Sequence, residues 1–349
     1  MLAVESVGGR WHRLVGEGSF VEFVNRWLTH LEVRQFAVGT VRGYCFDLLC
    51  LGRFFGERGI DWKTVGGTDF FDWLEWQARP LPSKGRKVVA IDANRGVSPA
   101  TMNRRVAAAR GLFEFAVMCD VVERNPVPSP RRSSGLRGPR RGLLGHVGTR
   151  RPPASGRLVR QERRLPESLE SEDVAVFLAD LETHRDRAIV LVMLLGGLRA
   201  CEVRSLRLVD VDVGVRQVKV TGKGGKQRVV PVERSFFVEL TAYLRKERPT
   251  GVSTPECFVV LRGPTTGCAM TEPGLRRIFR THRARSGATR VRPHRLRHTF
   301  GTELATAGID LLVLRELMGH AHAETTAAYI HLAPETIAAE WARVKQVLL

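Results

Sequence analysis

The feature that most restricts this chain lies in its middle. Between Pro126 and Pro166, 41 residues carry 11 arginines, one glutamate and seven prolines, with neither a helical nor an alternating apolar period. Such a stretch has no hydrophobic face to bury, and its prolines interrupt any continuous helix. A chain of 349 residues divided in this way is expected to fold as two bodies, each long enough for its own core. The expected organisation is an N-terminal extension at 1–18, a helical domain at 19–125, an Arg/Pro-rich extended linker at 126–166 and a second domain at 167–349.

Charge indicates the partner. The chain carries a net charge of +19, of which the linker contributes +10, against +3 for residues 1–125 and +6 for residues 167–349. A surplus of this size favours a polyanion, and the linker arginines suit non-specific contact with phosphates. A membrane is the poorer partner. The longest apolar run, Ala188 to Leu198, has eleven residues, where about 20 are needed to span a bilayer. The opening MLAVESVGGRWHRL lacks the apolar core of a secretory signal. The six cysteines form no CxxC pair and read as reduced thiols, mostly small core residues, of a cytoplasmic protein. Nucleic acid is the expected partner.

The first domain reads as all-helical. Phe20, Phe23, Val24, Trp27, Leu28 and Leu31 recur at the spacing of one helix face. Thr40 is placed to cap a second helix carrying Val41, Tyr44, Leu48, Leu51 and Phe55, and Asp69 to Trp76 suggests a short third. Ser98-Pro99 is a cap followed by a first-turn proline, opening a long helix through Phe113 and Val117. The second domain mixes helices with a small antiparallel sheet. Helices are expected from Ser171 and over Ala188–Leu195, a hairpin over VRQVKVTGKGGKQRVVPV, and a short strand at Phe258–Leu261. The fold class expected is therefore mainly α with a small antiparallel sheet in the second domain.

Four segments of that domain carry phosphate-binding and proton-transfer groups. GLRACEVRSL places Arg199 just beyond the Gly196-Gly197 break. The hairpin tip TGKGGKQR holds Lys223 and Lys226. RPHRLRHTF sets His294 and Arg297 at i and i+3 on one helix face. LMGHAHAETTAAYIHL brings Gly319-His320 and then Tyr329. Singly, each has an ordinary reading: a surface arginine, a flexible turn, a helix-end histidine. In order, they resemble the tyrosine recombinase (phage integrase) family, which includes the Xer recombinases. Its pattern is an arginine in GLR-x-x-E, a lysine on a following hairpin, H-x-L-R-H, G-H, and a tyrosine nine residues past that histidine. Here Arg199 to Lys223 is 24 residues and His320 to Tyr329 is nine. The resemblance covers residues 170–335 through motifs and extends more weakly to 19–125, as the helical core-binding domain of such enzymes.

The resemblance implies strand cleavage and rejoining of double-stranded DNA through a 3′-phosphotyrosine at Tyr329, with no metal and no cofactor. Arg199 and Arg297 would neutralise charge on the non-bridging phosphate oxygens. His294 would act as base and His320 as donor to a phosphate oxygen. Lys223 would protonate the leaving 5′-oxygen, with Lys226 as the alternative on the same turn. Tyr44, on a core face, and Tyr243, mid-helix, are the other two tyrosines. His298, His322 and His331 are read as packing or DNA-side residues, and Glu202 as orienting Arg199. The implied partners are paired recombination half-sites and other copies of the chain in a tetrameric synapse, with a C-terminal helix exchanged between subunits. Integration or transposition of a mobile element is the leading role. Alternatives are an Xer-like chromosome-dimer resolvase, a type IB topoisomerase-like enzyme or a non-catalytic DNA-binding protein.

Overall fold

The computed structural model describes residues 2–79, 96–128, 158–160, 168–222 and 225–320. It divides into two compact units, Met1–Arg163 and Arg164–Leu349.

The first unit begins with an element absent from the sequence reading. Residues read as an extension form an antiparallel hairpin, β1 (Ala3–Val7) and β2 (Trp11–Val15), turning through Gly8 and Gly9 in the left-handed region. Four helices follow: α1 (Ser19–Val33), α2 (Val38–Arg58), α3 (Gly67–Ala78) and α4 (Pro99–Met118). The hairpin is part of the unit because Leu14, 1% exposed, joins the core of Val24, Trp27, Leu28, Leu48, Phe54 and Phe113. The Asn25 amide fixes it there: Leu14 N–H donates to Oδ1 at 2.9 Å and Nδ2 donates to the Leu14 carbonyl at 2.8 Å. With one buried position in five, β2 shows no alternation that a sequence pattern would detect.

Other local expectations shift with the tertiary context. Helix α2 starts before Thr40, with Ala37 at its N-cap and no side-chain cap. Ser98 does cap α4, its hydroxyl accepting from the Thr101 N–H. The described ends of the expected linker are packed on this unit rather than extended. Val127 is buried in its core, Asn125 donates to the Arg110 carbonyl at 3.0 Å, and the Asn103 amide pairs with both backbone groups of Val159 at 2.8 and 3.0 Å. One apolar side chain and two asparagines overcome the local preference for an extended chain.

The second unit contains α5 (Ser171–Asp180), α6 (His184–Leu195), α7 (Ala200–Ser205), β3 (Val211–Asp212), β4 (Gln217–Thr221), β5 (Gln227–Pro231), α8 (Arg234–Lys246), α9 (Glu272–Ser286), α10 (Pro293–Thr306) and α11 (Leu311–Met318). The sheet order is β3-β4-β5, antiparallel, with Val218 opposite Val230 and Val220 opposite Arg228. Helix α6 is apolar nearly all round and forms the centre, packed against α8 and α10, while α11 rests on α10 and β5. The strand expected at Phe258–Leu261 is reduced to a single bridge, Val259 to Ala269. Phe258 and Val259 are buried there, and backbone bonds from Val260 N to Cys268 O, Gly267 N to Val260 O and Met270 N to Phe258 O accompany the bridge. The cysteines also differ from expectation: all six are free, but Cys45 and Cys257 are buried while Cys201 and Cys268 are exposed. Among the described residues no helix is long and apolar enough to cross a membrane.

If the hairpin belongs to the helical core, Leu14→Ala leaves a cavity and costs about 2–5 kcal/mol, measured by urea unfolding of the first unit's tryptophan fluorescence. A change below about 0.5 kcal/mol, the range of ordinary surface substitutions, would detach the hairpin from that core.

Candidate active site

Two glycines shape the backbone that presents the charged groups. Gly197 follows the Gly196 C-cap of α6 with φ of +61°, and a Cβ there would lie 2.4 Å from the Phe300 ring. The sharp exit it allows makes Arg199 the N-cap of α7. Gly319 ends α11 with φ of +57°. Its N–H donates to the Glu316 carbonyl and that of His320 to the Arg315 carbonyl, the paired closure of a left-handed helix end.

That closure leaves three successive carbonyls at the end of α11 to be satisfied from outside the helix. Each receives a different arginine. Leu317 O accepts from Arg228 Nε at 2.8 Å, Met318 O from Arg297 Nη2, and Gly319 O from Arg199 Nη2 at 2.9 Å. Arg297, 3% exposed, also donates Nη1 to the Gly197 carbonyl. One carboxylate organises the other two arginines. Glu202 accepts from Arg199 N and Nη1 at 2.8 Å each, and from Arg228 Nη1 and Nη2 at 2.8 and 2.9 Å. Burial is the largest influence on the Glu202 carboxyl and pushes its pKa up, but the bonds from Arg228 and Arg199 together outweigh burial and hold it down to about 2.

The histidines lie in this positive field. Burial first, then Arg297 and Arg199, pushes His320 down to about 4 and lowers His294. His298 is pushed down to about 4 by burial, then by His294 and nearby arginines. His294 and His298 share a hydrogen bond between their Nε2 atoms at 2.9 Å, so one ring donates and the other accepts. The lowering favours the neutral ring in all three, which can accept a proton at one nitrogen and donate from the other.

The structure therefore brings together Arg199, His294, Arg297 and His320, whose positions span 121 residues of the chain. Lys223 and Tyr329 lie outside the described residues, as do His322, His331 and the expected C-terminal helix. Lys226 is exposed on the hairpin, its carbonyl accepting from the Gly222 N–H at 2.7 Å. Tyr243 is fully buried, stacked on Phe258, its hydroxyl accepting from the Val259 N–H. Tyr44 stacks on Trp27. Among the described residues no three His, Cys, Asp or Glu side chains are grouped to hold a metal. Sequence reasoning missed Arg228, and it assigned His298 to packing or DNA-side contacts, whereas the ring hydrogen-bonds His294. Arg228 had a signal: it shares strand parity with Val230 on the buried face of β5, a position that ordinarily excludes charge.

Arg199, Arg228 and Arg297 gathered beside His294 and His320, in an α+β unit that follows a helical one in the chain, form a positively charged cluster suited to an anionic ligand. Residues 167–336 match the phage integrase family, and residues 24–118 match the SAM-like N-terminal domain of phage integrases. Tyrosine recombinase XerD of Mycobacterium leprae is 32% identical over 327 residues, covering 88% of this chain and 92% of the relative. Tyrosine recombinase XerC of Shewanella sp. (strain ANA-3) is 28% identical, covering 89% and 90%. Among solved structures, XerH recombinase bound to palindromic difH substrate superposes with a TM-score of 0.61 at 19% identity, covering 95% of this chain and 90% of that one. The Tn1549 transposon integrase in complex with transposon right end DNA gives 0.62 at 17% identity, covering 93% and 99%. The chain belongs to the phage integrase family: it is a tyrosine recombinase, an enzyme that cleaves and rejoins DNA.

The lowered histidines have a consequence for stability. Between about pH 6.5, the ordinary histidine value, and about pH 4, the unfolded chain binds a proton at His320 that the folded chain refuses. Stability of the second unit therefore falls as pH drops through that window and rises again with pH. His320→Gln is expected to flatten the slope, read from urea midpoints at pH 4.5, 5.5 and 7. An unchanged slope would mean that His320 titrates normally in the folded chain.

Proposed function

We propose that Tyr329 is the nucleophile and that Arg199, Lys223, His294, Arg297 and His320 complete the site. The supporting observation is the convergence of two arginines and two histidines at the end of α11, nine residues before Tyr329 in the chain. The burial of Tyr243 and the packing of Tyr44 on Trp27 support the same choice. Tyr329 Oη attacks the phosphorus and its proton passes to His294. The bond to the 5′-oxygen breaks, and Lys223 protonates that oxygen. Arg199, Arg297 and His320 stabilise the charge gathered on the non-bridging oxygens. The 3′-phosphotyrosine retains the ester bond, so attack by a 5′-hydroxyl reverses the sequence and joins a new strand without an energy source.

The substrate is double-stranded DNA with paired half-sites, bound by four copies of the chain in the cytoplasm. The C-terminal segment from Pro334 supplies the contact between copies through the apolar stripe Ile337, Ala338, Trp341, Val344 and Leu348. Movement of a mobile element is the role we favour, because the long arginine-rich segment departs from a compact resolvase. Xer-type resolution of chromosome dimers is the second reading, supported by XerD and XerC relatives matching over almost 90% of the chain. Sequencing the DNA retained by Tyr329→Phe protein separates them: paired ends of an element for the first, one chromosomal site for the second.

Tyr329→Phe is expected to bind that DNA normally and form no covalent adduct with a nicked duplex. An adduct on this variant would move the nucleophile elsewhere. Lys223→Ala is expected to fail on ordinary DNA yet cleave a duplex whose bridging 5′-oxygen is sulfur, since a thiolate leaves unprotonated. Rescue of Lys226→Ala instead would transfer the role to Lys226.

A further inference from the structure

Arg199 and Arg228 hold the same carboxylate, but only one of them faces outward. The Arg199 side chain is 35% exposed, against 5% for Arg228 and 1% for Glu202. Arg228 commits Nε to the Leu317 carbonyl and one N–H of each terminal nitrogen to Glu202, and its burial keeps it from an incoming phosphate. Arg199 with Glu202 alone would be a neutral pair at 2.8 Å, whose field on a phosphate largely cancels. With Arg228 present, the trio keeps one net positive charge, and its exposed member is Arg199.

We propose that Arg228 is a positioning residue for strand cleavage: as counter-ion to Glu202 it releases the charge of Arg199 for the scissile phosphate. Its Nε also holds the end of α11, from which His320 projects. The fit is close, since a Cβ at Gly319 would lie 2.9 Å from Arg228 Nη1. The proposal rests on Arg199 being a phosphate ligand, which an Arg199→Ala control reports separately. A buried ion pair that serves only the fold is the competing account, and it predicts that removing both charges is no better for cleavage than removing one.

The test measures single-turnover covalent-complex formation by full-length protein on the duplex recovered with Tyr329→Phe, nicked beside the cleavage position. A second substrate carries a methylphosphonate at the scissile position, which removes the negative charge that Arg199 would meet. Arg228→Met leaves Arg199 cancelled by Glu202, and cleavage of the phosphodiester is expected to fall by about 100-fold, the usual loss of one preorganised charge contact. On the methylphosphonate its rate is expected to stay within about threefold of the unmodified protein, a small fraction of that contact's effect. Adding Glu202→Gln to Arg228→Met restores the net charge of Arg199, and phosphodiester cleavage is expected to recover at least about tenfold, part of the same contact. The double variant leaves no unpaired buried charge, so it carries the test even if Arg228→Met does not fold, and is then expected within about tenfold of the unmodified protein. Equal losses on both substrates, or a double variant as slow as Arg228→Met, would overturn the proposal. Undiminished phosphodiester cleavage by Arg199→Ala would instead remove Arg199 from the phosphate and leave the role of Arg228 unsupported.

Discussion

The catalytic unit is organised around the C-terminal end of one short helix. A helix end presents unpaired carbonyls and the negative pole of the helix dipole. At α11 these are met by Arg199 from the turn before α7, Arg228 from β5 and Arg297 from α10. Three guanidinium groups from three elements would ordinarily repel one another. The backbone carbonyls and the doubly bridged Glu202 offset that repulsion, so a dense positive field is held in place before any phosphate arrives.

That field sets the behaviour of the histidines. Beside arginines and partly removed from water, His294, His298 and His320 hold protons weakly. A phosphate bound beside these groups would counter the arginines and raise the proton affinity of each ring. The hydrogen bond between His294 and His298 adds a second constraint, because it commits one Nε2 as donor and the other as acceptor.

The first unit follows ordinary packing logic, with two departures from its local sequence. The hairpin at residues 3–15 is retained by one leucine and one asparagine, and the segment ends near Val127 and Val159 are held by one buried valine and two asparagine amides. In each case a few groups satisfying backbone donors and acceptors turn a polar connection into part of the core.

The amino-acid sequence by itself determined the helices, because their apolar spacing repeats locally, and the family, because its arginine and histidine motifs recur in a specific order. Helix α4 with its Ser98 cap and the exit of the chain at Gly197 were legible from neighbouring residues alone. The hairpin before α1 and the anchoring of the linker ends were not, since each depends on packing partners outside its own local pattern. The same holds for Arg228. A charge at an inward strand position signals that a partner exists, but not that it is Glu202, 26 residues earlier, or the Leu317 carbonyl, 89 later. Only the tertiary structure decided which arginine faces outward and which is buried, because that depends on burial and counter-charge, and neither is a property of local sequence spacing.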